Sequence, residues 1–126
     1  MLGNYPVAAT IPVTDISRSK AFYTEKLGLK LVAEADAGIT LEAGKGTQLF
    51  LYQRGPSKAD HTLAAFDVDN LEEVVKELIS NGVVFEHYAE GPFKTNELGI
   101  ADLGSERAAW LKDPDGNIIG VGQMSK

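Results

Sequence analysis

The sequence contains no cysteine, which removes disulfides, thiolate metal sites and cysteine nucleophiles from consideration. Histidine is nearly as scarce: His61 and His87 are the two in the chain, and no H-x-H or H-x-x-E pattern brings two metal donors together locally. Positive charge is in deficit, with 12 Lys and Arg against 18 Asp and Glu and a net charge of -6. The basic residues are scattered, which argues against nucleic acid, whose binding needs a basic face to displace phosphate counterions, and against an anionic membrane surface. An acidic field favours a cationic or neutral ligand, although solubility accounts for most of those charges. No apolar run approaches the roughly 18 residues of a membrane span. The opening MLGNYPVAATIPVTD has no basic start, is broken by Pro6 and Pro12 and reaches Asp15 quickly. No secretory signal is therefore expected, and the expected location is the cytoplasm.

What the sequence does contain is self-similarity. Composition is that of a globular protein, 44% hydrophobic and 24% charged over 126 residues, so a single domain spanning 1–126 is expected. Within it, PVTDISRSKAFYTEKLGLKLV and DVDNLEEVVKELISNGVVFE make the same journey from a strand end through an acidic residue into a helix and on to a new strand. Placing Val13 on Val68 sets Ile16 on Leu71 and gives a repeat of about 55 residues with one gap. Module 1 is expected over about 5–54 and module 2 over about 60–124.

The second helix is the better marked. Leu71, Val74, Val75, Leu78 and Ile79 follow helical spacing and form one apolar stripe. Asp69 with Glu72, or Asn70 with Glu73, can cap its start, and Gly82 can follow its end. The first helix is expected from about Ile16 to Lys26, capped by Thr14 or Asp15 and closed by Gly28, with Phe22, Tyr23 and Leu27 anchoring it. Strands are expected at Lys30 to Ala35, Gly38 to Glu42 and Thr47 to Gln53, and in module 2 at Val83 to Tyr88, Ile100 to Leu103, Ala108 to Lys112 and Asn117 to Gln123. Turns at Gly44-Lys45-Gly46 and Asp113-Pro114-Asp115-Gly116 join neighbouring strands.

Alternation splits these strands into two faces. Val7, Ala9, Ile11 and Val13, Leu49 and Leu51, Ala64, Phe66 and Val68, and Ile119 and Val121 make an apolar face for the helices to cover. The opposite face is mixed: Ala8, Thr10 and Pro12; Gln48, Phe50 and Tyr52; His61, Leu63, Ala65 and Asp67; Ile118, Gly120 and Gly122. Small and aromatic groups of this kind suit a ligand-holding cup. They equally suit a second core layer or a subunit interface. The face occupied by Trp110 is not fixed by alternation.

The duplicated unit, VTDISRSKAFYTEKLGLKL and the closing AAWLKDPDGNI resemble the vicinal oxygen chelate superfamily, which includes glyoxalase I, extradiol dioxygenases, and fosfomycin and bleomycin resistance proteins. The resemblance covers nearly the whole chain. It implies an α+β fold of two βαβββ modules forming a curled mixed sheet around a cleft, with helices on the outer face, and commonly a homodimer. Enzymes of the family usually hold a divalent metal that acts as a Lewis acid. Carried over by the flanking motifs, the metal-ligand positions fall on Ala8, Phe50, Leu63 and Gly120, none of which has a donor side chain. The resemblance therefore implies a member without the usual metal ligands, with no cofactor expected and with open space where Gly120 replaces a carboxylate. A shifted metal site would need His61 together with His87, Glu42, Glu86 or Asp67.

Other constellations are turns and surface. Glu86 and Tyr88 share a strand face from which His87 points away, and GKG at 44–46 is too short for a phosphate loop. The loop GPFKTNELG, residues 91–99, carries an aromatic, a cation and a hydroxyl at Phe93, Lys94 and Thr95, where a solvated loop and a specificity loop are both open readings. In the latter, Lys94 meets an anionic or carbonyl group while Phe93 covers it. The expected function is a metal-free small-molecule binder like the bleomycin-resistance branch, using Ala8, Thr10, Phe50, Tyr52, Leu63, Phe93, Lys94, Trp110 and Gly120. The alternative is a glyoxalase-like lyase or isomerase, or a dioxygenase-like enzyme, with an atypical or absent metal site and Glu86, Asp67 or His61 as base. Catalytic residues stay unassigned.

Overall fold

The computed structural model describes residues 1–124. The architecture is α+β, and the chain divides into two compact units, Met1–Ser57 and Lys58–Lys126, each running strand, helix and then three strands.

In the first unit, β1 (Ala9–Val13) leads to α1 (Ile16–Ala21), and β2 (Lys30–Ala35), β3 (Gly38–Glu42) and β4 (Gln48–Gln53) follow. The sheet order is β1-β4-β3-β2, with β1 parallel to β4 and the other pairs antiparallel. Asp15 begins the helix because its carboxylate accepts the otherwise orphaned N–H of Arg18 at 3.1 Å. The helix widens into a π-helical turn over Phe22–Lys26 and ends at Gly28, whose φ of 82° is the left-handed geometry that glycine adopts without strain. Strand register stacks Ile11 beside Leu51 and Leu51 beside Ile39. These residues, with Val13, Leu41, Leu49 and Tyr23, are the buried core under α1. Each such aliphatic side chain contributes about 1.5–3 kcal/mol by leaving water. Val7 lies outside β1 and is exposed, so the apolar face starts at Ala9.

In the second unit, β5 (Thr62–Asp67), α2 (Leu71–Ser80), β6 (Ile100–Asp102), β7 (Glu106–Lys112) and β8 (Ile118–Met124) repeat the order, with the sheet arranged β5-β8-β7-β6 and β5 parallel to β8. Asn70 caps α2 by accepting from Glu73 N, and Gln123 of β8 accepts from Leu71 N at 2.7 Å. The helix start is thereby fastened to the sheet. Leu71 and Val75 pack with the buried Ala109, Leu111, Ile119 and Val121 of β7 and β8.

The expected strand at Val83 to Tyr88 does not form. Val83 and Phe85 are buried and Val84 is exposed, as alternation requires, but β6 already occupies the edge of β7 at Arg107, Ala108 and Ala109. What remains is one bridge, Phe85 to Leu111, and the hydrogen bond from Glu86 N to Trp110 O. Among the described residues no helix is long and apolar enough to cross a membrane.

Candidate functional site

The β7–β8 hairpin sets the geometry of module 2. Asp113, buried in the turn, accepts from the backbone N–H of Asp115 and of Asn117, both at 2.9 Å, and from the Asn117 side-chain amide at 2.8 Å. A turn closed this way fixes register. Lys112 faces Ile118, Trp110 faces Gly120 and Ala108 faces Gly122. Trp110 therefore lies on the mixed face, opposite the face of Ala109 and Leu111 that α2 covers.

The partner strand is irregular. Thr62 pairs with Ile118, but Ala64 already pairs with Ile119, so Leu63 sits in a bulge and the alternation expected from His61 through Asp67 breaks there. A methyl group on Gly120 would meet Thr62 Cγ2 at 3.4 Å and Ala65 Cβ at 3.5 Å, which puts Thr62 beside Gly120.

The loop after α2 supplies the remaining wall. Thr95 ties its two ends together: Thr95 N donates to Tyr88 O at 2.9 Å and Tyr88 N donates to Thr95 Oγ1 at 2.8 Å. This holds Tyr88 and Phe93 against Trp110, with ring centroids 5.7 Å and 5.8 Å away and interplanar angles of 60° and 86°. The three rings, with Asp60, His61, Thr62, Glu90, Pro92 and Ile118, line an open basin of about 520 Å³. Its walls are chiefly apolar, and its polar side chains include the carboxylates of Asp60 and Glu90 and the imidazole of His61, whose Nδ1 lies 3.6 Å from Asp60 Oδ1.

Phe93 and Trp110 thus share one concavity, while Lys94 lines another. That second hollow, of about 350 Å³, is formed with Thr95, Asn96, Ile100, Asp102 and Arg107. The basin therefore does not pair Lys94 with Phe93. Leu63 and Gly120 border the basin region without lining it. In module 1, Thr10 faces Phe50 and Pro12 faces Tyr52 on the mixed face, with Phe50 close against Gly38; Ala8 precedes β1 and is exposed. Tyr88, Glu90 and Pro92 were not among the sequence-derived ligand residues, because the Thr95 tie that brings their loop to Trp110 leaves no periodic signal; Asp60, just before β5, was not among them either.

The bases expected for catalysis are dispersed. Glu86 is ion-paired with Lys112 at 3.2 Å, Asp67 faces Gly122 in the sheet, and His61 alone of the three lines the basin. Ala8, Phe50, Leu63 and Gly120 offer no donor atoms, so a metal does not fit at the positions the family would use. Among the described residues no group of three or more His, Asp or Glu side chains is arranged to hold one elsewhere.

Comparison with known proteins accords with this architecture. Residues 6–121 match the profile of the Glyoxalase/Bleomycin resistance protein/Dioxygenase superfamily. Curated protein sequences give no match. Among solved structures, TnmS3, an antibiotic binding protein from Streptomyces sp. CB03234, superposes with a TM-score of 0.71 at 26% identity over 96% of each chain. Integron cassette protein VCH_CASS1 from the mobile metagenome of V. cholerae gives 0.65 at 29% identity, over 96% of this chain and 95% of that one. UcmS2 gives 0.72 at 21% identity, over 94% and 96%, a likeness of fold alone. Since the family profile spans both modules, the chain belongs to the Glyoxalase/Bleomycin resistance protein/Dioxygenase superfamily.

Proposed function

We propose that this protein binds a small organic molecule in the aromatic basin of module 2 without a metal and without converting it. The observation that carries the reading is the placement of Tyr88, Phe93 and Trp110 around one concavity of about 520 Å³. A few hundred cubic ångströms lined by aromatic walls with a small number of polar groups is the usual makeup of a small-molecule site. The structural likeness to an antibiotic binding protein supports the same reading. In module 1 taken by itself, Ala8, Thr10, Phe50 and Tyr52 are proposed as ligand-contacting residues; in module 2, Leu63 and Gly120 are proposed beside the basin and Lys94 in its own hollow. We place the protein in the cytoplasm as a homodimer; a light-scattering mass of one chain at micromolar concentration would remove the dimer.

Because the chain has a single tryptophan, its fluorescence reports the basin directly. Titration with a panel of planar aromatic antibiotics is expected to give saturable quenching. Trp110→Ala is expected to weaken binding about tenfold by calorimetry, about 1.4 kcal/mol, in keeping with the loss of ring contacts. Saturable binding unchanged in Trp110→Ala would place the ligand elsewhere, and no binding by any member of the panel would count against the reading.

The enzymatic alternative rests on His61, which lies 3.6 Å from Asp60 and lines the basin. A carboxylate beside an imidazole can orient it as a base. Turnover of a bound ligand by the wild type and its loss in His61→Gln, with binding retained, would move the protein to that class.

A further inference from the structure

We infer that the basin is a three-walled aromatic cage for an alkylated ammonium group, so that the ligand carries a tertiary or quaternary ammonium on an apolar body. This deepens the binding function proposed for the same basin and rests on it. Trp110 forms the middle wall, and Tyr88 and Phe93 meet it at 60° and 86°. All three rings line the one basin, and an aromatic face carries the negative end of the ring quadrupole. A cation whose charge is spread over methyl groups is attracted to such faces and loses little hydration by leaving water.

The charges at the rim point the same way. Among the described residues, Asp60 and Glu90 are the acidic groups lining the basin, and no lysine or arginine lines it. Asp60 is paired with His61. Glu90, by contrast, forms no ion pair among the described residues. A carboxylate at the edge of an aromatic hollow complements a cation and disfavours an anion. The volume of about 520 Å³ exceeds what one ammonium headgroup fills, which leaves room over Ile118 and Pro92 for the rest of the ligand.

The test follows the indole N–H resonance of Trp110, the one such signal in the 126-residue chain, during titration with choline and with 3,3-dimethylbutan-1-ol, its uncharged carbon isostere. The expected result is that choline binds about tenfold more tightly than the isostere. Phe93→Leu, at a half-exposed position, is expected to weaken choline about fivefold and the isostere by a smaller factor, so that the preference for choline narrows. Equal affinity for choline and the isostere, or equal loss of both in Phe93→Leu, would overturn the cage and leave an apolar binding basin in place. If choline fails to shift the resonance while an aromatic antibiotic does, the cage likewise falls and the binding function stands. If neither shifts it, both readings fall.

Discussion

A methyl group would have opposite consequences at Gly38 and at Gly120, although both glycines are buried in strands. At Gly38 a Cβ would collide with the carbonyl of Leu51 and stand 3.0 Å from Phe50 Cζ. Backbone cannot yield there without breaking the β3–β4 ladder, so Gly38→Ala is expected to destabilise the protein by about 1–3 kcal/mol. At Gly120 the nearest atoms lie at 3.4 Å and 3.5 Å, ordinary van der Waals contact. Gly120→Ala is expected to change stability by less than about 0.5 kcal/mol, or to raise it by reducing the freedom of the unfolded chain. Urea midpoints of the two variants check both statements; a large loss at Gly120 would show that the position serves packing rather than space. Glycine at 120 is thus a matter of what the mixed face leaves open beside Trp110, not of backbone necessity.

At the scale of elements, the repeat and most of its parts were legible. The stripe of α2 was readable because helical spacing repeats along it, with Leu71 and Val75 buried and Ile79 exposed at its end, and Lys30 to Ala35 and Gly38 to Glu42 match β2 and β3. Three features escaped for physical reasons. Val83 to Tyr88 has strand alternation at its start, but β6 holds the edge of β7 at residues 107–109 that its later residues would need, so only the Phe85 to Leu111 bridge forms. Leu63 sits in a bulge that inserts a residue without altering composition. The wall of Tyr88 and Phe93 is built by the Thr95 tie, a side-chain contact to backbone seven residues away. The DPDGN turn was legible as a turn, but its weight in setting the site was not. Asp113 satisfies three donors in a buried place. Asp113→Ala leaves those donors without a partner and is expected to cost about 2–3 kcal/mol, with the Trp110 to Gly120 register loosened. A urea midpoint within error of the wild type, with an unmoved Trp110 emission maximum, would show that β7 and β8 hold their register without the turn.

Size argues about the molecule as a whole. The two units span 57 and 69 residues, 1–57 and 58–126, and a chain of about 60 residues buries only about 60% of its unfolded surface, which leaves it marginal alone. Apolar side chains also remain exposed in both, among them Leu2, Tyr5 and Val7 in the first and Val84 and Phe93 in the second. We propose that the modules unfold as one domain and that a second copy covers part of this apolar surface. Trp110 lies in module 2 and is the only tryptophan, so its fluorescence follows that module, whereas far-ultraviolet circular dichroism follows both. Coincident denaturation curves are expected. For a dimer that unfolds to single chains, each tenfold rise in protein concentration is expected to add about 1.4 kcal/mol of apparent stability and to move the midpoint upward. Separate transitions would make each module its own folding unit. Coincident transitions with a midpoint independent of concentration would keep the single domain and discard dimerisation coupled to folding, because mass action leaves no other way for a folded dimer and unfolded monomers to behave.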